Sequence, residues 1–350
     1  MSDSAKVTRA NRYDLLRLVF ALLVLTGHSL QLPAPNIAPK VESVLIVLGE
    51  MAIRGFFVIS GALVYGSLLR SETLGDYALK RVRRLYPAYA VAIIVPTLLA
   101  LTLVPEAREN LIGVAKYFLA NIVFLNFLAP ELPGVFQGHR FEEVNGALWT
   151  VKIEVMFYMF LPLIAWIGTK LGKYRHAYLI LIYIGAEVWR FAFEHYGMQY
   201  GSSLLLQISR QLPGQMSFIV MGMIAWEFRH FLREKWLAAG VIGLAGTIIS
   251  LFLYMEWIQA VSLALLVTSI ATAPGPKLNA AKFGDFSYGI YGWHFPVVQL
   301  VIAMGIYKQS YMLGFATASA ITIVLAVLTW HFVEKPFLTE NNWYRRKAKA

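Results

Sequence analysis

Eleven apolar stretches leave this chain few ways to fold. They are Tyr13–Leu32, Val41–Leu69, Leu85–Val104, Leu111–Ala129, Ala147–Leu171, Ala177–Phe193, Leu212–Phe228, Trp236–Tyr254, Trp257–Ala273, Phe286–Ile306 and Met312–Val333. Crossing a bilayer as a helix takes about 20 consecutive apolar residues, and several of these stretches reach or exceed that length. Only helices and closed barrels satisfy every backbone polar group in hydrocarbon. No segment has the alternating pattern of a barrel strand. The predicted fold is therefore all-α, a polytopic transmembrane helical bundle. Composition agrees: 15% of the 350 residues are charged and mean hydropathy is +0.59, whereas a soluble domain is about 25% charged.

The net charge of +11 points to topology and not to nucleic acid, because lysine and arginine cluster at the ends of apolar stretches as the positive-inside rule expects. If all eleven stretches crossed, with Lys6, Arg9 and Arg12 on the cytoplasmic side, Lys170–Arg175 and every later cluster would fall outside. The conflict disappears if Leu111–Ala129 is re-entrant or interfacial. That stretch contains Lys116, Tyr117, Asn121 and Asn126, and a polar loop, 130–145, follows it. About ten spans then remain, with both termini cytoplasmic. Residues 1–12 read as a cytoplasmic leader, 13–338 as one membrane domain and 339–350 as a basic cytoplasmic tail. The first span lacks a small-residue cleavage site after it and is expected to be retained. With no cysteine in the chain, structural disulfides and thiolate chemistry are excluded.

Ionisable groups inside hydrocarbon call for a partner or a function. The first span carries Asp14 and Arg17 toward its inner end and His28 toward its outer end. At the helical rise, Arg17 and His28 lie about 16 Å apart on a similar face. Span five runs inward from Trp149, which puts Glu154 at the depth expected for His28. A carboxylate and a histidine at one depth suit an orienter and a general base. His294 falls near mid-membrane in span ten, and span two carries Arg54 followed by GFFVISG with Ser60 and Gly61. Each has a structural alternative: a hydrated interfacial histidine, an Arg54–Glu154 salt bridge, or glycines serving close helix packing. Lys80, Arg81, Arg83 and Arg84 precede span three. They read either as a positive-inside stop or as a site for an anionic ligand, since arginine binds phosphate in bidentate fashion.

Six motifs in order make the chain resemble the acyltransferase-3 family of integral-membrane acyltransferases. They are YDLLR with Arg17 and His28 separated by ten intervening residues, FFVISG, the R-x-x-R of Arg81 and Arg84 leading to Tyr86 and Pro87, LWTVKIEVMFYMFLP, SYGIYGWHFP and FVEKPF. The resemblance covers about residues 11 to 338. It implies a bacterial inner-membrane enzyme that carries an acyl group, most often acetyl, from cytoplasmic acyl-CoA to a hydroxyl of an extracytoplasmic glycan or glycolipid. Residue by residue, it makes His28 and Arg17 the essential pair, and it assigns Arg81 and Arg84, with Lys80 and Arg83 beside them, to CoA. Glu154, His294 and Ser60 match family positions of less settled role. Arg54, Ser60, Trp149 and Asp14 are expected on the substrate path, and Arg54, Ser60 and His294 are candidate donors to the thioester oxyanion. No metal is expected, and membrane lipid is the expected surrounding. SYGIYGWH departs from the family in having glycine where many members have leucine. The alternative from another class is a transporter or flippase for an anionic lipid-linked or CoA-derived species, with the same charges lining its path.

Overall fold

The computed structural model describes residues 12–33, 38–253, 255–275, 280 and 283–338. Among these every regular element is helical, with no strand, and each apolar stretch contains a helix. The main helices are α1 (Tyr13–Gln31), α2 (Pro39–Leu68), α3 (Leu74–Leu103), α4 (Leu111–Ile122), α5 (Leu148–Leu171), α6 (Arg175–Gln199), α7 (Leu212–Glu227), α8 (Trp236–Phe252), α9 (Glu256–Thr272), α10 (Ser287–Ala303) and α11 (Tyr311–Thr329). Five stretches are long and apolar enough to cross a membrane: Tyr13–Gln31, Lys40–Leu68, Leu74–Leu103, Leu148–Gln199 and Tyr311–Phe337. Shorter apolar helices accompany them, and the whole reads as a membrane protein. Lys6 and Arg9, the Lys277 and Lys282 positions and the tail 339–350 lie outside the described residues.

Two boundaries differ from the sequence expectation. α3 begins at Leu74, so Lys80–Arg84 lies inside that helix and not ahead of it. The 111–129 stretch forms the 12 residues of α4 and a separate 3-10 turn, Asn126–Leu128, so that α4 supplies about 18 Å of helix against the ~30 Å of a hydrocarbon core. Asn121 ends it: its amide donates to the carbonyls of Tyr117 and Ala129, both at 2.8 Å, while Phe124 takes a left-handed φ of 65°. The chain thus folds back on its own helix end.

The helices group into two units. The first comprises Met1–Arg17, Met51–Tyr77 and Ile153–Asn279. Its centre is α7, buried on nearly every side and packed against α6 and α9, while α8 and α9 form a close pair. Small residues permit this. A Cβ at Gly61 would fall 2.0 Å from the Ile219 carbonyl oxygen, and one at Gly222 would fall 2.1 Å from that of Val58. The backbones of α2 and α7 therefore touch directly, as small residues allow between membrane helices. Arg12 closes the end of α9, donating to the carbonyls of Ile270 and Pro274 and through its backbone to Ala271. A cation there meets the negative end of the helix dipole.

The second unit comprises Leu18–Glu50, Ala78–Lys152 and Ala280–Ala350. Its buried helix is α10, which packs along α11; a Cβ at Gly289 would fall 2.8 Å from the Ala326 Cα. After α11 the chain widens into one π-helical turn, Trp330–Glu334. There Arg84 pairs with two buried carboxylates, Asp285 and Glu334, the latter at 2.9 Å, with its guanidinium over the Trp330 ring.

Candidate active site

The site in the second unit begins with a proline. Pro296 lies inside α10 and has no N–H to give the carbonyl four residues back, that of Gly292. Asn145 supplies the missing donor: its Nδ2 is 2.9 Å from the Gly292 oxygen. One turn is thereby opened and held where His294 sits. His294 is fully buried. Its Nδ1 is 2.7 Å from the Tyr291 carbonyl oxygen, and its Nε2 is 2.8 Å from Nδ1 of His28 on α1.

These two distances set the direction of the hydrogen bonds. A carbonyl only accepts, so His294 Nδ1 carries a proton and, in the neutral ring, Nε2 holds the lone pair. His28 Nδ1 must then donate to it, which leaves His28 Nε2 as the basic nitrogen of a neutral imidazole. The two rings lie 14° from parallel with centroids 4.9 Å apart, and Phe295 stands edge-on to His28 at 5.4 Å. Chemically the pair is a base held in one tautomer by a fixed acceptor.

Further contacts hold the pair in register. Thr150 and Tyr291 share a hydrogen bond of 2.6 Å between their hydroxyls, and Trp293 Nε1 donates to Thr329 at 2.8 Å. A Cβ at Gly146 would fall 2.8 Å from the Phe295 ring, so glycine lets the chain lie on that ring. Tyr311 donates to the Leu30 carbonyl beside the end of α1.

The structure gives these side chains the following partners. The orienter found for His28 is His294, placed by the sequence at a different depth, while Glu154 accepts hydrogen bonds from Ser60 at 2.8 Å and from Tyr158 within the first unit. Arg54 pairs with Gln259 and with Glu256 at 3.2 Å, and Glu256 also meets the buried Arg190 at 3.4 Å. Arg54 and Arg190 both lie over the Phe218 ring, at 5.4 and 5.1 Å. The three groups considered as oxyanion donors thus all donate to other acceptors: Arg54 to Gln259 and Glu256, Ser60 to Glu154, and His294 to the Tyr291 carbonyl.

Of the other predicted residues, Asp14 and Arg17 are half-buried in the first unit, on the opening turns of α1. Lys80, Arg81, Arg83 and Trp149 are half-buried in the second unit. Arg84 is held by its two carboxylates. Sequence reasoning missed Asn145, Tyr291 and Phe295. The one signal for Asn145 was indirect, since a helical proline requires a new donor for the carbonyl it strands.

The model of the acyltransferase domain, acyltransferase-3, matches residues 11–331. An O-acetyl transferase of Shigella phage Sf6 is 27% identical over 354 residues, covering 95% of this chain and 98% of that protein. Nodulation protein 10 of Rhizobium leguminosarum bv. viciae is 28% identical over 354 residues, covering 93% and 92%. No solved structure matches the chain. With a site of this kind inside an apolar helical chain, and with the domain model matched across nearly its whole length, the chain belongs to the acyltransferase-3 family of membrane acyltransferases.

Proposed function

We propose that this acyltransferase moves an acyl group, acetyl in the first instance, from cytoplasmic acyl-CoA to a hydroxyl of an extracytoplasmic carbohydrate, such as lipopolysaccharide or exopolysaccharide. The observation that carries this reading is the His28–His294 pair, which leaves His28 Nε2 as a base of fixed tautomer. His28 takes the proton of the acceptor hydroxyl as its oxygen bonds to the thioester carbonyl carbon. The carbon–sulfur bond then breaks, and the proton passes from His28 to the departing CoA thiolate. Through this cycle His294 Nε2 accepts from His28 Nδ1, stabilising the imidazolium.

The remaining parts of the reading follow from charge placement. CoA phosphates meet Lys80, Arg81 and Arg83 near the inner end of α3, and Arg84 holds that end together through Asp285 and Glu334. Arg17, three helical turns from His28 along α1, faces the incoming donor. Ten spans in the bacterial inner membrane, with both termini in the cytoplasm, put Arg17 inside and His28 toward the outside. The name of the Shigella phage Sf6 relative, O-acetyl transferase, supports acetyl as the group moved.

Mass analysis of envelope glycans from cells with and without the protein tests the reading. An acyl increment that vanishes on deletion and on His28→Ala is expected; glycans of identical mass in all three strains would overturn it. Single cysteines at Lys170 and Lys277 of this cysteine-free chain test orientation, and both are expected to react only from the cytoplasmic side.

A further inference from the structure

The loop between α4 and α5 is held in an unusual shape. Gly134, Phe136 and Gly138 all take left-handed backbone angles, with φ of 75°, 57° and 76°. Glycine enters that region freely, whereas a bulky residue there is an outlier that the surroundings must impose. The imposing contacts are present. The buried Gln299 on α10 donates from Nε2 to the carbonyls of Phe141 at 2.5 Å and Glu143 at 3.2 Å. Its oxygen is 3.0 Å from His139 Nδ1, which must therefore donate. Arg140 donates to the carbonyl of Gln31, one turn beyond His28, and to Glu42 at 2.5 Å. The Gly138 amide donates to Glu142 at 2.8 Å. Together with Asn145 on Gly292 and Gly146 on Phe295, these contacts run residues 139–146 antiparallel along α10, past His294.

What this framework displays is an aromatic pair. The Phe136 and His139 rings stack with centroids 5.4 Å apart and planes 25° apart, both half-exposed. Gln137 and Glu142 are exposed beside them. A ring face carries negative charge density, which attracts the weakly positive C–H face of a sugar ring. Amide and carboxylate groups at its edge suit sugar hydroxyls. With its Nδ1 donating to Gln299, His139 has Nε2 as the acceptor of the neutral ring.

We propose that Phe136, His139, Gln137 and Glu142 form the acceptor seat, taking one pyranose ring of the glycan against the aromatic pair beside the His28–His294 site. The inference rests on the reading of the acceptor as a carbohydrate, and it explains why a phenylalanine is held at positive φ: the loop positions a ring for a ligand. It assigns acceptor recognition to residues outside the catalytic pair.

The test is acetyl transfer from radiolabelled acetyl-CoA to alkali-deacetylated lipopolysaccharide by the full-length protein in nanodiscs. Phe136→Gly removes the ring while suiting the left-handed backbone, and Phe136→Tyr keeps an aromatic face. The expected result is an acceptor KM raised at least tenfold by Phe136→Gly and by His139→Ala, a kcat changed less than KM, and a KM restored to within about threefold by Phe136→Tyr. An acceptor KM unchanged in both loss variants, or a fall in kcat alone, overturns the seat. Failure of the wild-type protein to acetylate the polysaccharide while it consumes acetyl-CoA overturns the carbohydrate reading itself, and the seat with it.

Discussion

Asn145 Nδ2 lies 2.9 Å from the carbonyl oxygen of Gly292 and replaces the backbone hydrogen that Pro296 lacks. The bond joins the loop 130–145 to the helix that carries His294. An unpaired buried carbonyl costs about 1–3 kcal/mol, so Asn145→Ala is expected to lower the thermal midpoint by a few degrees. In a Pro296→Ala background residue 296 regains its N–H and can donate to Gly292 itself. The same Asn145→Ala change is then expected to cost about 1 kcal/mol less. Strict additivity in that double-mutant cycle would show that Asn145 is not the substitute donor.

The two histidines are expected to differ in severity. His28→Ala removes the base and should abolish transfer without reducing the amount of protein in the membrane. His294→Ala leaves the base but frees its tautomer and orientation, and a loss on the order of 10²-fold is expected, at the low end of what proton-transfer catalysis contributes. Initial rates of acetyl transfer measure both. A His294→Ala enzyme working at the wild-type rate would remove His294 from the mechanism.

Arg84 stands between two carboxylates whose side chains are 2% and 1% exposed, Asp285 and Glu334. Removing one member of such a buried set leaves charge uncompensated, at about 3–5 kcal/mol. Arg84→Ala and Arg84→Lys are both expected to unfold at lower temperature, because a single ammonium does not reproduce the two-pronged guanidinium. Melting curves of the purified variants decide the matter. An unchanged midpoint with a raised KM for acyl-CoA would instead return Arg84 to the donor site.

Gly61 and Gly222 occupy a reciprocal backbone contact, where an added Cβ would meet a carbonyl oxygen at 2.0 or 2.1 Å. Overpacking of this kind costs about 1–3 kcal/mol, occasionally more, and here no flexible side chain can yield. Either alanine variant should give less monodisperse protein on size exclusion than wild type. Gly49, with nothing within 4 Å of its added Cβ, is the control. Gly49→Ala is expected to be neutral or slightly stabilising, since glycine inside a helix is worth about 0.5–1 kcal/mol less than alanine.

The helical class and the positions of the apolar helices were legible in the sequence because hydropathy is a local property summed along the chain. The sequence marked 111–129 as an interrupted stretch through Lys116, Tyr117, Asn121 and Asn126, but the end of α4 at Ile122 was set by the hydrogen bonds of Asn121 to Tyr117 and Ala129. The residue types worth examining were legible too: a histidine, a carboxylate or an arginine within hydrocarbon stands out wherever it points. Partners were a different matter. Estimated depth along the spans pointed to Glu154 as the neighbour of His28 and put His294 nearer mid-membrane, and no local pattern in the sequence indicated that His294 would be the partner. The choice came from how α10 packs beside the end of α1, and from the proline that opens α10 and binds Asn145 to it. Arg54 likewise found Glu256, and Arg84 found Asp285 and Glu334, each more than 200 residues away along the chain. Composition and spacing therefore determined the kind of fold and the list of chemically active groups. Tertiary packing alone decided which pairs of them share a proton or a charge, because hydrogen bonds require ångström-scale approach between segments that the sequence does not order in space.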